Sequence, residues 1–340
     1  MNFKKAFPIT VLILSASFFI SSCGKEKFSL TRPLLGTVIN ITVNSDRNSA
    51  VKAVNAAFVE IERIQALFSY YNNETDISRL NKDGAKSMVQ LTPEVFELLK
   101  LSVDISSKTS GAFDITFASL APLWNLRDEN FVPPSSMEVS KLLKYVSYKY
   151  IIFDDAKGTA GFNKTGVKVD LGGIAKGYAI LKAVEVLKQH GISSGFVDAG
   201  GDIQVIGENS GKPWVVGIKN PSNNGIVGTL TLFGNDSVAT SGAYERFKEY
   251  KGKRYHHIID PKSGYPADSG LISVSVICSD PVLADAYATS FFVMGFDKTA
   301  KFLKGNNAVS AILIDDKEKV FVSKSLREKV KFTDYNIQHF

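Results

Sequence analysis

The chain has 340 residues, of which 44% are hydrophobic and 22% are charged, with a net charge of +6 and a pI near 9.0. This composition can build a large core and excludes a mainly disordered protein. The basic residues are scattered rather than clustered, and the sequence contains no arginine-rich stripe or nucleic-acid-binding motif. We therefore expect no nucleic-acid partner.

The N-terminal segment has the features of an export signal. Two lysines precede an apolar run over residues 7–20, which is short for a membrane span. Small residues then lead into Cys23, a pattern that resembles a bacterial lipobox; an ordinary signal peptide is the alternative. We predict a leader over 1–22, lipidation of Cys23 and a tether over 23–33. The mature protein would be exported and lipid-anchored to the bacterial cell membrane, facing the periplasm or the cell exterior.

The elements that follow are mixed. LLGTVINITV alternates like a strand, and apolar residues from Ser49 to Phe68 recur at helical spacing. Thr92 and Pro93 predict the start of a second helix. Three more helices are predicted: a short amphipathic one after a loop at 128–140, one over 174–189 and one that begins at Asp280-Pro281, with strands between them. Because helices and strands do not alternate strictly, the pattern favours an α+β fold over a doubly wound sheet.

The segment KVDLGGIAKGY at 168–178 predicts a strand, a glycine turn and a helix start. Proteins often hold phosphate in this way, although the glycine spacing matches neither a dinucleotide fingerprint nor a Walker loop. Lys176 lies in the first helical turn, where an anion would be favoured. A tight connection with a surface lysine explains the segment equally well.

The segment DAYATS places Asp285 and Thr289 four residues apart on one helix face. A carboxylate and a hydroxyl are hard oxygen ligands that suit Mg²⁺. Considered alone, the pair is better explained by an aspartate near a helix start and a threonine bonded to its own helical turn.

Two further segments are rich in polar residues. His256 and His257 are adjacent on a predicted strand, so at most one of them faces a common pocket directly; that histidine could be a base, a phosphate contact, a metal ligand or a packed residue. The run Thr240, Ser241 and Gly242 follows a strand and could either bond a phosphate or form a turn.

Taken together, the segments DLGGIAKGYA, VDAGGDI, ATSG, HHIIDPKSG and the helical D-A-x-A-T resemble, in order and spacing, the ApbE family of flavin transferases. The resemblance covers residues 34 to about 320. It implies an ApbE-type, T-fold-like domain over 34–335, with mixed sheets and flanking helices. It also implies Mg²⁺-dependent transfer of FMN from FAD to a Thr or Ser in a motif of a target redox protein, with release of AMP.

The resemblance also implies roles for individual residues. The metal site would combine the Gly173 carbonyl with Asp285 and Thr289, and His257 rather than His256 would be the catalytic histidine. The positions that would contact FAD are Leu35, Tyr71, Phe113, Asp114, Ile115, Asp170, Lys176, Thr240, Ser241, Gly242 and Ile259.

Two alternatives share these motifs. A Mg²⁺-dependent FAD pyrophosphatase would cut FAD to FMN and AMP with water as the acceptor. A non-catalytic FAD-binding lipoprotein would bind FAD without chemistry; the metal ligands and the histidine argue against it, because binding alone requires neither. The chain departs from many family members by Leu35, where they have Met, and from some by Ala288, where they have an acid.

Overall fold

A nine-stranded sheet forms the centre of the computed structural model, which describes residues 26–70, 72–223, 225–333 and 335–340. The predicted leader, the lipidation site Cys23 and the predicted flavin contact Tyr71 lie outside the described residues. None of the described helices is both long enough and apolar enough to cross a membrane.

Seventeen strands and six α-helices are assigned within those residues. The strands are β1 Glu26–Leu34, β2 Thr37–Ser45, β3 Val89–Gln90, β4 Ile151–Asp154, β5 Thr159–Phe162, β6 Gly195–Ala199, β7 Asp202–Ile206, β8 Trp214–Lys219, β9 Ile226–Leu232, β10 Ser237–Gly242, β11 Phe247–Tyr250, β12 Lys253–His256, β13 Leu271–Cys278, β14 Ser310–Asp315, β15 Val320–Val322, β16 Val330–Phe332 and β17 Ile337–His339. The helices are α1 Arg47–Leu67, α2 Asp76–Asp83, α3 Pro93–Lys108, α4 Ser136–Leu143, α5 Ala175–Gln189 and α6 Pro281–Lys304.

The large sheet has the strand order β1-β2-β6-β7-β10-β13-β14-β15-β17. Helices α5 and α6 pack against its central strands and against each other, and α1 packs on α5. The opposite face is covered in part by a smaller sheet of order β16-β9-β8, with Trp214 and Leu230 in the core between the two sheets. Strand β13 has apolar side chains on both faces. Val274 therefore belongs to the core between the large sheet and the helices, and Ile277 belongs to the core between the two sheets. The α+β prediction is confirmed.

The chain begins its fold earlier than predicted. Residues Glu26–Leu34, expected to be mostly tether, pair with β2 along their whole length. Phe28, Leu30 and Leu34 alternate along this edge strand and pack against the core, which gives the strand a buried face despite its polar composition. The fold also continues past residue 335, since β17 pairs in parallel with β15.

Helix α6 begins as predicted, and its N-terminus sets the position of the candidate site. The Asp280 carboxylate accepts hydrogen bonds from the amides of Val282 (2.8 Å) and Leu283 (3.4 Å), and Pro281 occupies the first helical position. Helix α5 has no such side-chain cap of its own. Its Gly177 amide instead donates to the Asp285 carboxylate of α6, at 3.0 Å, so one helix satisfies a free amide at the start of the other.

The close approach of α5 and α6 requires a glycine at position 177. A Cβ there would lie 2.2 Å from the carbonyl oxygen of Pro281 and 2.8 Å from the Cα of Val282. We expect Gly177→Ala to lower the free energy of unfolding by about 1–3 kcal/mol, although alanine is the better helix former. Thermal denaturation measures the effect. Gly305→Ala is the control, since a methyl there meets its nearest atom only at 3.9 Å; equal melting temperatures for the two variants would contradict the close approach.

Candidate functional site

The turn before α5 brings two of the predicted segments together. The Asp170 amide donates to the carbonyl of Ile115 at 3.0 Å, and the Asp170 carboxylate accepts from the Gly172 amide at 2.9 Å. A Cβ added at Gly173 would lie 3.3 Å from the ring of Phe113. Burial raises the pKa of Asp170. The segments 113–115 and 170–173 therefore pack against each other next to the α5 N-terminus.

The first turn of α5 carries the charged centre of the site. The Lys176 ammonium forms an ion pair with Asp202, which lies at the start of β7 and is almost fully buried. Burial opposes the charge on Lys176, but Asp202 and then Asp285 outweigh it and raise the lysine pKa. Lys176 was predicted to contact FAD; in the structure its ammonium is bonded within the protein.

Asp285 lies on the other side of this turn and is 5% exposed. One carboxylate oxygen accepts from Gly177; within the described residues, no hydrogen bond reaches the other. Burial raises the pKa of this carboxyl, the charge of Lys176 opposes the rise, and the charge of Asp202 adds to it. Asp285 is therefore a buried carboxylate with a free oxygen beside a helix N-terminus.

The run Thr240, Ser241 and Gly242 was predicted to follow a strand, but it lies within β10, because these residues pair with β13. The Ser241 hydroxyl lies 3.3 Å from the hydroxyl of Thr289, and the Thr240 hydroxyl lies 2.8 Å from that of Ser275. The Thr240 amide donates to Asp202 at 3.0 Å. Thus Thr240 contacts the charged pair through its amide, whereas the hydroxyl of Ser241 contacts the predicted metal ligand Thr289.

The donor set suits a hard cation. Asp285 offers its free carboxylate oxygen, Thr289 offers a hydroxyl one helical turn further on, and Gly173 precedes the helix to which Asp285 is bonded. No cluster of three or more His, Cys, Asp or Glu side chains arranged to hold a metal occurs in the described part of the chain. A cation here would therefore take its remaining ligands from water or from a substrate phosphate.

The two histidines differ in environment, although β12 ends at His256 and does not extend to His257 as predicted. His256 is buried, its Nε2 lies 3.1 Å from the carbonyl of Ala267, and its ring packs edge-on against Phe292. His257 is half-buried, and its Nδ1 lies 3.2 Å from the carbonyl of Arg246. Because a carbonyl only accepts, Nδ1 carries the proton and Nε2 is left as an acceptor. Burial, with the nearby positive charge of Arg246 and weaker effects of His256 and Lys176, lowers the pKa of His257 to about 4.

The tip of the β1–β2 hairpin holds the predicted flavin contact Leu35. Leu35 and Gly36 both have positive φ, 54° and 69°, as a tight two-residue turn requires. The Leu35 amide donates to the side chain of Gln65 at 2.6 Å, and the Arg246 guanidinium donates to the carbonyl of Gly36 at 3.3 Å. Arg246 therefore bonds both the hairpin tip and His257. It links the predicted flavin contact Leu35 to the predicted catalytic histidine.

The other predicted FAD contacts are mostly packed inside. Phe113 and Ile115 are core residues, and Ile259 belongs to a small apolar cluster with Trp124. Both Asp114 oxygens are used internally: one caps the following turn at the Thr116 amide (2.9 Å), and the other accepts from the Tyr148 amide (2.7 Å). Gly242 is buried. The side chains at these predicted contact positions are therefore packed within the protein.

Two cavities, of about 450 and 500 Å³, lie beside these segments. Both are lined by Ser110 and Lys262, and between them they include Ala112, Asp114 and Asp260. Neither is lined by Lys176, Asp285 or Thr289. The charged centre is therefore separate from these two cavities.

Sequence reasoning missed Asp202. The segment VDAGGDI was noted for its glycines. The aspartate that directly follows the two glycines is the signal that could have identified Asp202. Its partners are 26 and 38 residues away along the chain, so no local pattern identified them.

The fold and the site together define an α+β protein in which an ion pair, a buried carboxylate and hydroxyl groups meet near a helix N-terminus. The chain belongs to the ApbE family, whose sequence profile matches residues 35–313. It is 30% identical over 336 residues to a FAD:protein FMN transferase from Treponema pallidum, covering 93% of both chains.

Solved structures give the same result. The ApbE protein from Thermotoga maritima superposes with a TM-score of 0.83 at 34% identity, over 89% of this chain and 99% of that one. A histidine variant of the flavin transferase ApbE from Vibrio cholerae superposes with a TM-score of 0.78 at 27% identity, over 89% of this chain and 99% of the other. The ApbE-type fold predicted from the motifs is thus confirmed.

Proposed function

We propose that this chain transfers FMN from FAD to a threonine or serine of a target redox protein and releases AMP, with Mg²⁺ at the site. The observation that carries the proposal is the meeting of Lys176, Asp285, Thr289 and Ser241 at the N-terminus of α5. The name FAD:protein FMN transferase, which belongs to the relatives, supports the same activity.

Asp285, Thr289 and the carbonyl of Gly173 would hold the Mg²⁺ ion. The ion would neutralise the diphosphate and the charge that develops on departing AMP. The chain's own groups would complete the arrangement: the α5 N-terminus would face the anion, and the Ser241 hydroxyl, which lies beside Thr289, would orient a phosphate oxygen.

The transfer itself would be a displacement at phosphorus. The acceptor hydroxyl oxygen bonds to the FMN phosphorus while the bond to the bridging oxygen breaks and AMP leaves with that oxygen. The Nε2 of His257 takes the hydroxyl proton; its low pKa and its bond from Nδ1 to Arg246 keep it neutral and correctly oriented for that role. Leu35, Tyr71 and Asp170 would contact the flavin and ribityl part of FAD.

The assay uses residues 24–340 with FAD and Mg²⁺, with and without a redox protein that carries a Thr/Ser flavinylation motif. AMP release and covalent flavin fluorescence on the acceptor are followed together. Matching amounts of AMP and labelled acceptor are expected. Release of AMP and free FMN without labelling of the acceptor would instead establish the pyrophosphatase. If FAD is bound but stays intact, only the non-catalytic FAD-binding lipoprotein remains.

We also propose that Cys23 is lipidated after removal of residues 1–22, so that the enzyme is anchored to the cell membrane outside the cytoplasm. The lipobox-like residues before Cys23 support this. We expect Cys23→Ser to move the protein from the membrane fraction to the soluble fraction in a bacterial host, because the acyl anchor is lost. Cys278→Ser is the control, since Cys278 is buried in β13; membrane retention of the Cys23→Ser protein would contradict the anchor.

A further inference from the structure

Asp202 connects the two segments that face the proposed phosphate site. It is 2% exposed; one oxygen accepts the Thr240 amide at 3.0 Å, and the other is paired with the Lys176 ammonium. A carboxylate buried this deeply requires compensation for its lost hydration. Both partners belong to the candidate site, so the position of Asp202 bears on the site and not only on the core.

The Lys176 ammonium is paired with the buried Asp202 and is also within the electrostatic influence of a second buried carboxylate, Asp285. Asp202 has the strongest charge effect on it, Asp285 the next, and Glu245 a weaker one. The amide of Gly177, the next residue, is bonded to Asp285. The main chain of α5 is therefore held at Asp285, while the Lys176 side chain is turned to Asp202. An ammonium group that turned to Asp285 would compete with a cation for the same carboxylate.

We propose that Asp202 is a positioning residue that holds the Lys176 ammonium away from Asp285 and so keeps the Asp285 carboxylate available to a divalent cation. The inference rests on the Mg²⁺ site of the proposed function. Without the charge of Asp202, Asp285 becomes the strongest remaining partner of Lys176, and the lysine and the metal then compete for one carboxylate.

The test titrates Mg²⁺ alone into the purified full chain and follows the rise in melting temperature, which yields an apparent dissociation constant. Asp202→Asn retains an acceptor for the Thr240 amide and removes the charge. We expect its Mg²⁺ dissociation constant to rise about 10- to 100-fold, the range for residues that support metal ligands. The double variant Asp202→Asn/Lys176→Met has no competing ammonium and should recover most of that loss. Melting temperatures without Mg²⁺ check that each variant is folded.

A folded Asp202→Asn protein with native Mg²⁺ affinity would overturn the proposal. A double variant as weak as the single one would also overturn it, because Asp202 would then act on the metal directly. Asp285→Asn separates this inference from the proposed function. If it binds Mg²⁺ like the native protein, the proposed metal site is wrong; if it loses binding while Asp202→Asn keeps it, only the positioning role is wrong.

Discussion

Asp285→Asn is expected to lower the rate of FMN transfer about a thousand-fold or more. The amide oxygen can still accept the hydrogen bond from Gly177, so the contact between α5 and α6 is kept. The charge that would hold the cation is lost, and several kcal/mol of transition-state stabilisation depend on that cation in phosphoryl transfer. The rate of AMP release in the presence of FAD, acceptor and Mg²⁺ measures the loss.

The matched control is Asp297→Asn. Asp297 lies in α6 beyond the kink at Gly295, is exposed, and no hydrogen bond or ion pair of its side chain is found in the described part of the chain. It should transfer FMN at the native rate. Near-normal transfer by Asp285→Asn with a native melting temperature would refute the metal assignment.

His257→Gln is expected to slow FMN transfer about 10²- to 10⁴-fold while FAD binding changes little. This is the usual contribution of a positioned general base, and glutamine keeps a polar side chain at the position. Single-turnover AMP release gives the rate, and equilibrium titration gives the FAD affinity. His190→Gln is the control, since His190 is exposed at the end of α5. A variant that loses FAD affinity but keeps its transfer rate would identify His257 as a ligand contact instead.

The pH dependence of transfer tests the same role. Burial lowers the pKa of His257 to about 4, so the imidazole is neutral and able to accept a proton at all pH values well above 4. The ratio of the native rate to the His257→Gln rate should therefore show no fall near pH 6.5, where an ordinary histidine titrates, and should decline only as the pH falls toward 4. The ratio separates His257 from Asp285, whose pKa is raised by burial. A His257-dependent decline centred near 6.5 would contradict the buried, neutral state.

Much of the fold could be predicted because its signals are local. Helices α1, α3, α5 and α6 were each anticipated to within about two residues at their starts, since apolar periodicity and the pairs Thr92-Pro93 and Asp280-Pro281 mark them within one turn. The motif order pointed to the family. In contrast, no helix was predicted over α2. Its only buried apolar residues are Ile77 and Leu80. Eight residues with two core positions do not show a periodic pattern.

The sequence alone determined which functional groups the chain contains: a carboxylate and a hydroxyl at Asp285 and Thr289, a pair of adjacent histidines, and a glycine turn before a helix. The tertiary structure decided how these groups are used. In the folded chain, Lys176 pairs with Asp202, and Asp285 accepts a hydrogen bond from an amide 108 residues away. His256 is packed in the interior, whereas His257 is half-buried and bonded to the carbonyl of Arg246. The physical reason is that strand and helix signals act over a few residues, whereas these contacts depend on the order of β7 and β10 in the sheet and on the packing of α5 against α6.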